Sequence, residues 1–298
     1  MTSSAAPVDR PRLLPSLGVG AAAGVLGLLP WLLTGLRLPL QNLWATDVAP
    51  EEMPLALLPF SQYSLTLIVS VIVTGSALAG LAARLGRGRL GPLGAALGAV
   101  GVQAIALAQS ALTVAAGLRE DRWSGLYLGA ITAGTVGAIA VGALILVLIA
   151  RAPRPGATIA IALAAVTAGG WLTGVVAPLS RDGSGAGLAL LNAVQWLPGI
   201  LAGLALAWCG VLSAGRVIAW IVSLAVLWVG PVLVTAVSAA AGTRVLARYP
   251  LEMLDYAQGV FTSALMLPAV SLRTPATALV VAALGVATLR ALVARRTP

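Results

Sequence analysis

The sequence predicts an all-α, polytopic membrane protein of about eight transmembrane helices with both termini cytoplasmic. Three observations carry this expectation. Hydrophobic residues make up 59% of the chain and charged residues only 9%, with a mean hydropathy of +1.00, whereas about a quarter of a soluble domain is usually charged. The apolar residues form long unbroken runs rather than short alternating strands, which favours helices over a β-barrel as the way to satisfy backbone polar groups in lipid. Arginines concentrate in alternate connections, as the positive-inside rule requires.

Runs of about 20 apolar residues cross roughly 30 Å of hydrocarbon. They fall near residues 13–36, 62–83, 91–117, 125–150, 156–178, 188–211, 217–241 and 274–294. The first follows Arg10 and Arg12, as a signal peptide would. Its apolar run is longer than a signal peptide's and lacks a small-x-small cleavage site, so it reads as an uncleaved span. The sixth contains Pro198, which frees a carbonyl one turn earlier, and the seventh contains Pro231, which predicts a kink. Residues 37–61 and 242–273 are the two long extracytoplasmic loops; the second is mixed enough in composition to hold a re-entrant or interfacial helix.

With both termini inside, eleven of the eighteen basic residues lie on the cytoplasmic side: Arg10, Arg12, Arg84, Arg87, Arg89, Arg151, Arg154, Arg216, Arg290, Arg295 and Arg296. Arg37, Arg119, Arg122, Arg181, Arg244, Arg248 and Arg273 lie outside, with every acid except Asp9. The net charge of +9 therefore flanks spans rather than clustering on a soluble face. That predicts contact with membrane lipids and no nucleic-acid partner. The exclusive use of Arg over Lys is the habit of a GC-rich bacterial genome, which predicts a bacterial plasma membrane.

Absent residues narrow the chemistry. Without His there is no His-ligated haem or zinc and no Ser-His-Asp triad; without Lys there is no Walker A lysine and no Schiff base. The single Cys209 forms no intramolecular disulfide. No cofactor and no metal site are predicted, and energy for any work would come from a protein partner.

The spans carry small and neutral-polar residues instead. Gly20/Gly24, Gly94/Gly98, Gly125/Gly129 and Gly199/Gly203 have the spacing that lets a neighbouring backbone approach one helix face. Gln103, Gln109, Ser110 and Thr113 cluster on the third span, with Asn192, Gln195 and Trp196 just before Pro198 in the sixth. Gln103, Gln109, Asn192 and Gln195 are candidate binding residues within the bundle, either joining helices by hydrogen bonds or lining a polar cavity. A 62-residue echo relates Gly125, Leu126, Leu128 and Gly137 to Gly187, Leu188, Leu190 and Gly199, as a hairpin repeat would.

The outer loops hold the remaining polar chemistry. "RLPLQNLWATDVAPEEMPLALLPFSQY", residues 37–63, carries Asp47, Glu51 and Glu52, with four prolines that prevent a continuous helix. Residues 242–261 carry Arg244, Arg248, Tyr249, Glu252 and Asp255, which with Trp44 are the candidate binding residues of the outer face. Asp47 and "APEEMP" resemble the first-loop acids of membrane glycosyltransferases that use polyprenyl-phosphate sugars. The resemblance is confined to this loop and implies Asp47, Glu51 or Glu52 as catalytic candidates. Function is expected to be that of a non-catalytic, permease-like or transport-complex subunit. The alternatives are a scaffold for cell-envelope machinery and an enzyme acting on a lipid-linked substrate through the 37–63 loop. The topology predicts that thiols placed at Ser61 and Gly242 react from outside, while one at Gly88 is shielded.

Overall fold

A computed structural model describes residues 12–39, 41, 43–86, 88–180, 185–243 and 249–294. Its helices are α1 (Leu13–Leu32), α2 (Leu65–Leu85), α3 (Pro92–Gly117), α4 (Arg122–Arg151), α5 (Arg154–Val176), α6 (Gly185–Val194), α7 (Leu197–Cys209), α8 (Ala214–Gly242), α9 (Pro250–Leu265), α10 (Pro268–Ser271) and α11 (Arg273–Ala294). Eight segments are long and apolar enough to cross a membrane, with α6 and α7 together making the sixth. The protein is thus an all-α polytopic bundle, and among the described residues the only β pairing is two isolated bridges.

Local sequence explains where the helices begin and end. Proline occupies the first turn of α3, α5, α7 and α9, where its missing N–H costs nothing and its fixed φ suits the helix. α1 stops at Leu32, short of the expected 36, because Gly35 (φ 87°) and Leu36 (φ 61°) enter the left-handed region and reverse the chain. Asp121 caps α4 by accepting the Ser124 N–H at 2.7 Å. That bond holds the Asp121 carboxyl below the usual carboxylate range, with help from nearby Arg119. Because the folded-state value is lowered, the cap contributes above the ordinary carboxylate range and is lost as pH falls through the lowered value.

Two interior features differ from a plain hairpin bundle. The sixth span breaks at Gln195 and Trp196, ahead of Pro198, into a ten-residue α6 and a thirteen-residue α7. The mixed stretch after α8 holds α9, a sixteen-residue helix packed against α8. Met253, Ala257, Val260, Phe261 and Ala264 are its less exposed positions, while the exposed side mixes Glu252, Asp255, Gln258, Thr262 and Ser263 with Leu251, Leu254 and Tyr256. Such a mixed face suits the membrane–water interface better than the hydrocarbon core. α8 itself continues as helix through Pro231.

The bundle is built around α2. Its spanning window is 61% buried against 22% for α8, and it touches α1, α3, α4, α5 and α8. α5 then joins this group to α7 and α8, and α11 packs on α7. α7 and α11 run parallel, since Gly199 faces Thr274 and Thr277, Gly203 faces Ala278 and Val281, and Gly285 faces Ala207.

Glycine spacing identified three of four close approaches. A Cβ at Gly20 would lie 2.1 Å from Ala95 O, and one at Gly98 2.1 Å from Leu17 O, so α1 and α3 touch backbone to backbone. Gly24 and Gly94 belong to the same seam, and Gly199 and Gly203 to the α7–α11 seam. Gly125 and Gly129 have the same spacing but nothing within 4 Å. The 62-residue echo pairs unlike environments for the same reason: Gly125 and Gly137 face open space, whereas Gly187 and Gly199 pack on Ser180 and α11.

Two experiments follow from this packing. Gly98→Val should cost about 1–3 kcal/mol by overpacking and lower the midpoint of thermal unfolding in detergent. Gly101→Ala, which meets nothing within 4 Å, should leave that midpoint unchanged or raise it. For topology, Ser61 is fully buried, which corrects its choice as a labelling site. Thiols at Glu51 and Asp47, both exposed, should react with an impermeant reagent from outside, with Gly88 protected. The native Cys209 is fully buried and should stay silent. Labelling at Gly88 but not Glu51 would invert the orientation.

Candidate functional site

The 37–63 segment enters the bundle rather than spreading over it. Leu38, Met53, Ala56, Leu58 and Phe60 are buried in one core with Leu28 of α1, Val71 and Ile72 of α2, Ala106, Leu107 and Val114 of α3, and Ile131 and Ala138 of α4, and Ser61 is buried next to Phe60 in the chain. This placement follows from composition: "LALLPF" is too apolar for water, while Pro54 and Pro59 keep it from coiling into a helix. The chain runs extended, with Arg37 and Leu55 forming an antiparallel bridge closed by Leu38 N–H to Pro54 O and Ala56 N–H to Leu36 O, both 2.9 Å.

An extended chain inside an apolar bundle must find partners for its peptide groups. Side chains supply many of them. Gln109 accepts the Leu57 N–H at 2.8 Å and donates to Leu55 O at 2.9 Å, while Ser110 accepts the Leu58 N–H at 2.8 Å. Trp31 Nε1 donates to Ala56 O at 2.7 Å, and Arg37 to Met53 O at 2.8 Å. Gln109 lies eight residues before Gly117, the last of α3 (117 − 109), so the segment reaches about 12 Å below that helix end at 1.5 Å per residue. Gln41 ties the segment's other limb, donating to Pro39 O and Phe60 O and accepting the Tyr127 hydroxyl.

The candidate catalytic acids do not share this interior. Asp47, Glu51 and Glu52 are exposed, the two glutamates on a one-turn 3₁₀ helix after Ala49. None lines a described cavity. Trp44 lies half-buried with its ring against Gly117, where a Cβ would come within 1.9 Å of it. Its carbonyl receives Arg119 Nε at 3.0 Å, and its backbone bridges to Leu118. Tyr249, Glu252 and Asp255 are exposed at or on α9. Arg244 and Arg248 lie outside the described residues. Among the described residues, no group of His, Cys, Asp and Glu could hold a metal ion.

Within the bundle the neutral-polar residues act as joints. Gln103 is buried and donates to Ile72 O and Ser76 Oγ of α2, both at 3.0 Å, while its own Oε1 finds no partner. Asn192 and Gln195 are exposed at the α6–α7 break, linked to each other and, through Gln195 Oε1, to the Arg273 guanidinium at the start of α11. Trp196 and Arg273 flank a shallow apolar groove with Leu272, Thr277 and Val280.

Sequence reasoning missed the better-formed recess. It lies between α2, α4, α5 and α7, with about 370 Å³ lined by Thr74, Ala77, Leu78, Ala164, Ala168 and Leu204. Leu81, Ile161 and Trp208 also line a second space of about 660 Å³ bordered by Arg84, Arg151 and Arg154, so the two adjoin across these side chains. Arg84 donates to Ile149 O at 2.6 Å and Ala152 O at 3.0 Å, and the Arg84 and Arg154 guanidiniums lie 4.8 and 5.5 Å from the Trp208 ring centre. Span parity places these arginines at one end of the bundle, but their adjacency around Trp208 depends on how four separate helices pack.

Replacing Gln109 with Leu removes the partners of the part-buried Leu57 N–H and the exposed Leu55 O, a loss of about 0.5–1.5 kcal/mol per hydrogen bond and the more so at Leu57, where water has less access. Gln109→Leu should therefore lower the unfolding midpoint and speed proteolysis within residues 45–60. Glu51→Gln/Glu52→Gln should change neither; an unaltered proteolysis pattern in Gln109→Leu would remove the proposed anchor. Comparison of the chain with protein-family models, curated proteins and solved structures finds no match.

Proposed function

We propose that the chain is a non-catalytic subunit of a bacterial plasma-membrane complex, permease-like in build and without a motor of its own. The supporting observation is the arrangement of the 37–63 segment. Its apolar part is anchored from beneath by Gln109, Ser110 and Trp31, while Asp47, Glu51 and Glu52 project from it into the surroundings. A rigid base with outward charges suits docking of a partner protein.

Catalysis through the same loop would need those acids to converge with a basic group around a substrate space. The Arg37 guanidinium instead donates to Met53 O, and the large recess lies among the arginines of the other end. A scaffold for cell-envelope machinery is the second reading. It is favoured by the joints at Gln103 and Gln109, which tie polar groups to neighbouring backbone rather than lining a water-filled path.

Affinity purification in mild detergent, with mass spectrometry of what co-purifies, tests the proposal. A stoichiometric membrane or ATPase partner is expected with the wild type, and its loss with Glu51→Gln/Glu52→Gln would assign the loop as the docking face. Recovery of a polyprenyl-linked sugar with no protein partner would replace the subunit reading with an enzymatic one.

A further inference from the structure

We propose that the recess between α2, α4, α5 and α7 is a binding site for an anionic membrane phospholipid, with an acyl chain in the apolar part and the phosphate at Arg151 and Arg154. This goes beyond the subunit reading and does not depend on it.

The two ends of the recess differ as the two ends of a lipid do. Ala77, Leu78, Ala164, Ala168 and Leu204 make its inner part apolar, and Leu204 and Trp208, both substantially exposed, open it sideways toward the bilayer. Along α2 it runs from Thr74 to Arg84, ten residues apart (84 − 74), or roughly 15 Å of helix. That is half of a hydrocarbon core of about 30 Å, the depth of one leaflet.

The mouth is built for an anion. The Arg151 and Arg154 guanidiniums are exposed and make no hydrogen bond or ion pair among the described residues. Arg154 is held against Trp208, so its guanidinium is aimed with less loss of side-chain freedom than a free arginine would suffer. Arg84 braces the wall by closing the carbonyl end of α4. The N-terminus of the 23-residue α5 opens onto the same mouth, with no acidic side chain in its first turn. Every described acid, Asp47, Glu51, Glu52, Glu120, Asp121, Glu252 and Asp255, belongs to connections at the opposite end. A zwitterionic headgroup would bring a cation to a site that already carries three. An anionic one matches it, and basic pockets between spans on the cytoplasmic side are the usual setting for such recognition.

The test uses the full chain, delipidated in neutral detergent and then offered equal dioleoyl phosphatidylglycerol and dioleoyl phosphatidylcholine, with retained lipid read by native mass spectrometry. Wild type should retain phosphatidylglycerol preferentially. Arg151→Gln/Arg154→Gln should lose that preference roughly thirty-fold, about 2 kcal/mol for two guanidiniums at a membrane surface. Arg122→Gln/Arg290→Gln removes the same charge elsewhere and should keep the preference. Leu204→Trp, which fills the apolar part without touching an arginine, should reduce phosphatidylglycerol retention; it decides the matter if the double arginine variant fails to fold. Equal retention of the two lipids by wild type, or unchanged preference in Arg151→Gln/Arg154→Gln, would overturn the proposal. So would displacement of the lipid by inorganic phosphate at matched concentration, which would mark a free-anion site instead.

Discussion

The obligation to satisfy the peptide groups of an extended segment sunk among helices shapes much of this structure. A helix brings its own partners, whereas residues 53–61 do not, and in lipid no water makes up the difference. Gln109, Ser110, Trp31 and Arg37 answer that need from α3, α1 and the segment's own start. Their positions fix how deep the segment sits, and the depth brings Leu58 and Phe60 into one core with Ile72, Ala106 and Ala138. The orientation of the exposed acids follows from this, because the short helix bearing Glu51 and Glu52 ends where the buried limb begins.

A second constraint is steric. α1 and α3 lie in contact although α2 separates them in sequence, and they do so because Gly20, Gly94 and Gly98 allow one backbone to rest on the other. The α7–α11 seam repeats the device with Gly199 and Gly203. Without a hydrophobic driving force between helices in lipid, such close approach carries a larger share of the association than it would in water.

Much of the fold was legible because hydropathy and span length are properties of single segments. The eight spans could be read that way; the break ahead of Pro198 was not, since the sixth run reads as one continuous apolar segment. Partners could not. Gly125/Gly129 and Gly94/Gly98 are the same pattern on paper, but one faces open space and the other a helix. Gln109 could be recognised as a joint, yet its partner lies 52 to 54 residues earlier in a loop. Ser61 looked like a solvated loop residue because polarity was weighed ahead of its neighbours Leu57, Leu58 and Phe60. The arginine–tryptophan mouth was invisible for the strongest version of this reason: Arg84, Arg154 and Trp208 come from three helices.

The helices are also unequal in length, with 20 residues in α1 and 30 in α4, or roughly 30 and 45 Å of axis. A bilayer of one thickness cannot match both. α4 can project its polar Arg122 and Arg151 ends into the headgroups, lean, or stretch the surrounding lipid, the last two at fractions of a kcal/mol per Å of mismatch. Where the lipid makes the adjustment, the annulus is deformed unevenly, and neighbours with a similar uneven rim would lower the total elastic cost by sharing it.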